Sequence, residues 1–67
     1  MSVAKITEIK SSSVVSFDDA IREGLKKTAM TIENIKSAWV GEQEVLVDDQ
    51  GNITEYRVLL KITFIVN

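Results

Sequence analysis

The sequence predicts an α+β fold in the order β-α-β-β, one helix laid against a three-stranded sheet. Three observations carry that reading. Residues 54–66 alternate without a break, the period of a strand with one buried face. Residues 17–32 place apolar or small side chains at helical spacing behind a capping serine. Between two apolar runs lies Asp48-Asp49-Gln50-Gly51-Asn52, the composition of a hairpin tip.

The first strand spans Val3 to Lys10, where alternation is weak and does not fix which side faces inward. Ser11-Ser12-Ser13 then reads as a polar break. The helix opens at Ser16-Phe17-Asp18-Asp19 and runs to Met30. Ser16 can cap the N–H of Asp19, and Asp19 can reach back as a shortened capping box. Asp18 and Asp19 suit the positive end of the helix dipole, Lys26 and Lys27 the negative end. Phe17, Ala20, Ile21, Gly24, Leu25, Thr28 and Ile32 form the inward stripe. Gly24 within it costs about 1 kcal/mol of helix propensity against alanine, which predicts a close approach to a strand.

The second strand spans Ser37 to Val47. Simple alternation points Ala38, Val40, Glu42, Glu44 and Leu46 one way, and Trp39, Gly41, Gln43, Val45 and Val47 the other. Gly51 is the tip residue suited to a positive φ. In the last strand Tyr56, Val58, Leu60, Ile62, Phe64 and Val66 form a fully apolar face. Arg57, Leu59, Lys61, Thr63 and Ile65 form a mixed one. The predicted core of the protomer is Ile21, Leu25, Val58, Leu60 and Ile62.

With 67 residues the chain is expected to be one domain, 1–67. A chain so short has a marginal core and needs support from outside it. Cysteine and histidine are both absent, which excludes disulfides, thiolate or imidazole metal sites, and cysteine- or histidine-based catalysis. Net charge is −2 and no basic cluster exceeds Lys26-Lys27, so no nucleic-acid partner is expected. No apolar run approaches the roughly 18 residues of a membrane span. The start Met1-Ser2-Val3-Ala4-Lys5 lacks a basic region followed by an apolar run, so the expected location is the cytoplasm.

The helix is about 21 Å long, the last strand about 43 Å. An apolar overhang near Phe64 and Val66 is therefore expected. On the opposite face Leu59, Ile65, Trp39 and Val45 would be wet in a monomer. Exposed apolar area of this kind predicts an interaction surface, with copies of the chain as the partner.

Trp39 is the first candidate ligand platform, because a large flat ring stacks on planar heterocycles. The plain alternative is an aromatic at a subunit interface. Arg57 shares the face of Trp39 if the hairpin sets Gln43 opposite Arg57. It can then grip a phosphate or carboxylate, or simply pair with Glu55, Glu42 or a neighbouring chain. Glu42 and Glu44, at i, i+2 spacing, can offer carboxylate oxygens to a hard cation, or form a solvated strand end. Asp48, Asp49 and Asn52 do not match the spacing of a calcium loop and read as a turn. The serines and lysines have no partner base or desolvating pocket, so no enzyme activity is expected.

Element order and residues together resemble the dodecin family. The resemblance covers nearly the whole chain. It includes the serine-rich stretch, the helix opening Ser16-Phe17-Asp18-Asp19-Ala20-Ile21 and the segment Thr31-Ile32-Glu33-Asn34-Ile35. It continues through the pair Glu42-Gln43 and the strand from Tyr56 to Phe64. It implies a three-stranded antiparallel sheet partly wrapping one helix, and a hollow homododecamer that binds and stores a small ligand between subunits without turnover. Flavin (FMN, FAD or riboflavin) is the first ligand it implies, with Trp39, Arg57, Ser37 and Gln43 as the site. Anchored on Glu42-Gln43, the family's stacking tryptophan falls on Ser37, and Trp39 stands about 7 Å further along the strand. Arg57 takes the place of a flavin-contacting glutamine. Tyr56-Arg57 and the Val47-Asp48 turn look more like the calcium-associated branch, for which Glu42 and Glu44 are the candidate ligands. A purely structural self-assembling protein is the remaining alternative.

Overall fold

The computed structural model describes residues 3–66. Met1 and Ser2, part of the start expected to carry no leader, lie outside the described residues with Asn67. The order is β1 (Val3–Ser13), α1 (Phe17–Ala29), β2 (Ile35–Val47) and β3 (Ile53–Val66). The antiparallel sheet has β3 at its centre, in the order β1-β3-β2. That is the predicted β-α-β-β architecture. The molecule measures 53 × 19 × 13 Å, long because two hairpin strands outrun the helix.

The serine break is corrected. Ser11, Ser12 and Ser13 pair with Val58, Arg57 and Tyr56 and belong to β1. They remain in the strand because two of their hydroxyls find partners. Ser11 Oγ donates to the Ala20 carbonyl at 2.6 Å, and Ser13 Oγ donates to Asp19 at 2.6 Å. The chain turns instead at Val14 and Val15, which are exposed.

Ser16 caps α1 as predicted, accepting from the Asp19 N–H at 3.0 Å. Asp19 does not reach back to Ser16. Its carboxylate is taken by Ser13, whose Oγ also accepts the Val15 N–H at 2.9 Å and the Ser16 N–H at 3.4 Å. The helix ends at Ala29, and Met30, expected as its last residue, is the C-cap. Asn34 then adopts φ 62°, a left-handed conformation that asparagine tolerates, and redirects the chain into β2. So β2 begins at Ile35 and not at Ser37. Ile35 pairs with Phe64 and packs on the core.

Ala20, Val58, Leu60 and Ile62 are buried, with Ile9, Phe17, Ile21, Leu25, Ile35 and Ala38 packed around them. Burying Val58, Leu60 and Ile62 contributes about 1.5–3 kcal/mol each. Ile21 and Leu25, predicted in the core, are half-buried flanks. The closest helix–sheet contact is made by the small residues Ala20 and Gly24. A Cβ on Gly24 would stand 2.8 Å from Ser11 Cβ, which is the close approach its place in the stripe predicts. Phe17 meets Tyr56 edge to face, ring centroids 5.2 Å apart, and closes the helix N-terminus onto the sheet.

The face assignment of β2 is half right. Ala38 and Val40 lie opposite Ile62 and Leu60, on the helix side. The register then slips between Val40 and Gln43, where Gly41 and Glu42 together face Leu59. This bulge reverses the alternation beyond it. Gln43 and Val45 turn to the helix side, opposite Val58 and Tyr56. Glu44 and Leu46 turn to the outer side, opposite Arg57 and Glu55. The uncovered apolar surface is wider than the expected overhang. Of the expected overhang Phe64 is half-buried and Val66 is exposed, and Val40, Val45, Val47 and Ile53 are exposed as well, because α1 lies over β1 and β3 and scarcely reaches β2.

Candidate functional site

The sheet face turned away from the helix carries the candidate site. Register fixes its rows. Ser37, Thr63 and Ile6 lie side by side, then Trp39, Lys61 and Glu8. Next come Gly41 and Glu42 with Leu59 and Lys10, then Glu44, Arg57 and Ser12. Trp39 and Arg57 therefore share this face, as expected. They are not neighbours. Lys61, the partner of Trp39, is four residues from Arg57, about 13 Å along the strand. Ser37 is a further row away, and Gln43 sits opposite Val58 on the other face, bordering the site only at the bulge. The expected pairing of Gln43 with Arg57 is thus replaced by Glu44 with Arg57.

Trp39 is 78 % exposed and has no aromatic neighbour among the described residues. Arg57 is half-buried and held on its own strand. Its Nε and Nη2 each approach Glu55 Oε2 at 3.1 Å. That is one of the ion pairs the sequence allowed. The Nε–H is the hydrogen-bond donor of the pair, and Nη2 makes the ion-pair contact beside it. An open hollow of about 400 Å³ lies over Leu59, lined by Lys10, Glu42, Gln43, Glu44, Arg57 and Val58.

Glu42 and Glu44 are exposed along β2, and Glu44 now stands across from a guanidinium. Among the described residues no three acidic side chains gather closely enough to hold a metal ion. Any cation held by this pair would need further oxygen ligands besides these two carboxylates. The hairpin tip is a turn, as read. Asp48 Oδ1 accepts from the N–H groups of Gln50 and Asn52 at 3.0 and 2.9 Å, and Gly51 has φ 84°. The Asn52 N–H contact holds the Asp48 carboxyl below its ordinary range.

Lys10 and Ser12 were missed by sequence reasoning. The weak alternation of β1 gives no facing, and only the strand order brings β1 beside Arg57. Among the described residues no helix is long and apolar enough to cross a membrane.

A model of the dodecin family matches residues 3–67. The chain is 36% identical to a protein named calcium dodecin from Mycobacterium tuberculosis, over 96% of this chain and 89% of that one. The fold superposes on a dodecin from Streptomyces davaonensis with a TM-score of 0.92 at 27% identity, covering 98% of this chain and 96% of that chain. It also matches the solved calcium dodecin of M. tuberculosis, described as calcium-chelating with a novel calcium-binding site. There the TM-score is 0.83 at 31% identity, covering 97% and 91% of the two chains.

Proposed function

The chain belongs to the dodecin family, and from that premise we propose that it is a non-enzymatic homododecameric shell that binds and stores a small planar ligand between subunits, flavin first among them. One observation carries the reading. Trp39 stands 78 % exposed on the outer sheet face, an aromatic surface without an aromatic partner among the described residues. Stacking on such a ring is worth about 1–3 kcal/mol for a planar heterocycle. A copy of the chain supplies the opposite wall, since a single protomer offers only an open face. The exposed Val40, Val45, Val47 and Ile53 support the assembly, as apolar area that another copy can cover. The test is titration of native protein and Trp39→Ala with FMN. Quenching of flavin and tryptophan fluorescence by the native protein, lost in Trp39→Ala, supports the reading. Binding that survives the substitution removes Trp39 as the platform.

A calcium-associated shell with weak or no flavin affinity is the second reading. The 36% identity to calcium dodecin favours it, as do Ser37 and Arg57 at the positions of the family's flavin-contacting residues. Glu42 and Glu44 would then contribute ligands together with another subunit. A melting temperature that rises with calcium in native protein and not in Glu42→Gln/Glu44→Gln distinguishes this reading.

A further inference from the structure

We propose that the free edge of β1 pairs with β1 of a second copy of the chain, antiparallel about a two-fold axis at Ile9. This deepens the assembly reading by naming one contact between subunits, and it holds whichever ligand is stored. The sheet order β1-β3-β2 leaves two edges, and they differ. Along β3, β2 carries three register shifts. Irregularities of that kind bend an edge away from further pairing. By contrast β1 pairs with β3 from Val3 to Ser13 without a shift. The chain has no proline to interrupt it. Among the described residues no strand meets its outward N–H and C=O groups. A long regular edge is a template for another strand. The helix leaves room beside it, since an open hollow of about 500 Å³ lies along Ile9 and Ser11 beneath Glu23 and Lys27.

Charge selects the partner and the register. Ile6, Glu8, Lys10 and Ser12 lie on the outer face of β1, and Ile9 and Ser11 on the helix face. Pairing must set outer residues against outer residues, or the two sheets would face opposite ways. The register centred on Ile9 does so. It sets Glu8 against Lys10 of the second copy, and Lys10 against Glu8 of that copy. A slip of one pleat sets Glu8 against Glu8 in one direction and Lys10 against Lys10 in the other. Opposite charges facing across a ladder attract and like charges repel, so the register about Ile9 is favoured over both neighbours. Both side chains are exposed and neither is in an ion pair among the described residues, although Glu8 lies across from Lys61 within the sheet. The same register brings Val3 beside Val15 of the second copy, and Ala4 beside Val14. All three valines are exposed in the single chain, so the pairing covers apolar surface at both ends. The contact uses one patch on both copies, which makes it a closed two-fold interface of the kind a symmetric shell contains.

The test exploits the absence of native cysteine. Glu8→Cys and Lys10→Cys chains are coexpressed and mildly oxidised, and each variant is also oxidised alone. Opposed residues of an antiparallel pair have Cα atoms about 4.5–5.5 Å apart, within reach of a disulfide. Diagonal neighbours stand about 7–8 Å apart, beyond that reach. The mixture is therefore expected to give covalent dimers on a denaturing gel, and either variant alone about tenfold less. Dimers from one variant alone at the level of the mixture would mark a slipped register and overturn the proposal. So would the absence of dimers from all three samples. Hydrogen exchange of the native protein probes the same edge without substitution. The outward amides of β1 should be protected like those bonded to β3, and exchange at the rate of open peptide overturns the pairing. Light scattering separates this contact from the shell. Linked chains in a particle of two uphold the edge and refute the shell, whereas unlinked chains in a dodecamer refute the edge alone.

Discussion

Replacing Gly24 by alanine should destabilise this protein, although it improves the helix. Alanine gains about 1 kcal/mol over glycine in a helix interior. Against that, the new Cβ would stand 2.8 Å from Ser11 Cβ, 2.9 Å from Ser11 Oγ and 3.2 Å from Leu60 Cδ1. The Leu60 methyl can shift, but Ser11 Cβ is fixed to a paired strand. Overpacking of this kind costs about 1–3 kcal/mol. Pushing the helix away also strains the 2.6 Å bond from Ser11 Oγ to the Ala20 carbonyl, worth about 0.5–1.5 kcal/mol. The net loss is about 0.5–3.5 kcal/mol. Denaturant unfolding at fixed protomer concentration measures it, since assembly makes stability concentration-dependent. Ser11→Gly in the same assay removes both offending atoms, so Gly24→Ala in that background should be neutral or stabilising. A wild-type background that tolerates Gly24→Ala without loss would refute the reasoning. So would a double-mutant coupling within about 0.5 kcal/mol of zero.

Leu60→Ala empties a fully buried position and should cost about 2–5 kcal/mol, read as a lowered melting temperature. Ser13→Ala removes an oxygen that joins β1, the turn and Asp19, and should cost about 1–3 kcal/mol by the same measurement. Asp48 gives a pH signature. Its carboxyl is lowered in the fold by the Asn52 N–H, so it stabilises the protein above the unfolded value of about 3.9. That contribution is lost as pH falls through the folded value. Asp48→Asn should therefore flatten the acid limb of a melting-temperature profile, and an unchanged acid limb would show that the turn does not hold the charge.

Much of the fold was legible because its signals are periodic. The alternation from Tyr56 to Val66 names the buried face of β3, and Val58, Leu60 and Ile62 are buried on it. The Ser16 cap and the place of Gly24 likewise follow from helix geometry. The bulge at Gly41 and Glu42 was not legible. One unpaired residue leaves no mark on composition, yet it reverses Gln43, Val45 and Leu46 and brings Glu44 to Arg57. The serines of β1 mislead for another reason. Serine is a turn former by composition, and only the helix carbonyl and Asp19 above the strand give Ser11 and Ser13 partners there. Of the site, the shared face of Trp39 and Arg57 was readable from odd numbering. Their separation is set by the register of the β2–β3 hairpin, whereas the presence of Lys10 and Ser12 depends on strand order, which a single sequence does not carry.

Sedimentation velocity of the protein with FMN, followed at flavin and protein wavelengths together, shows whether one assembly carries the flavin. Flavin absorbance should travel with a single dodecameric boundary, and Trp39→Ala should leave the boundary but lose the colour. A monomeric boundary, or a dodecamer from which all flavin stays behind at saturating concentration, would contradict the flavin-storing shell.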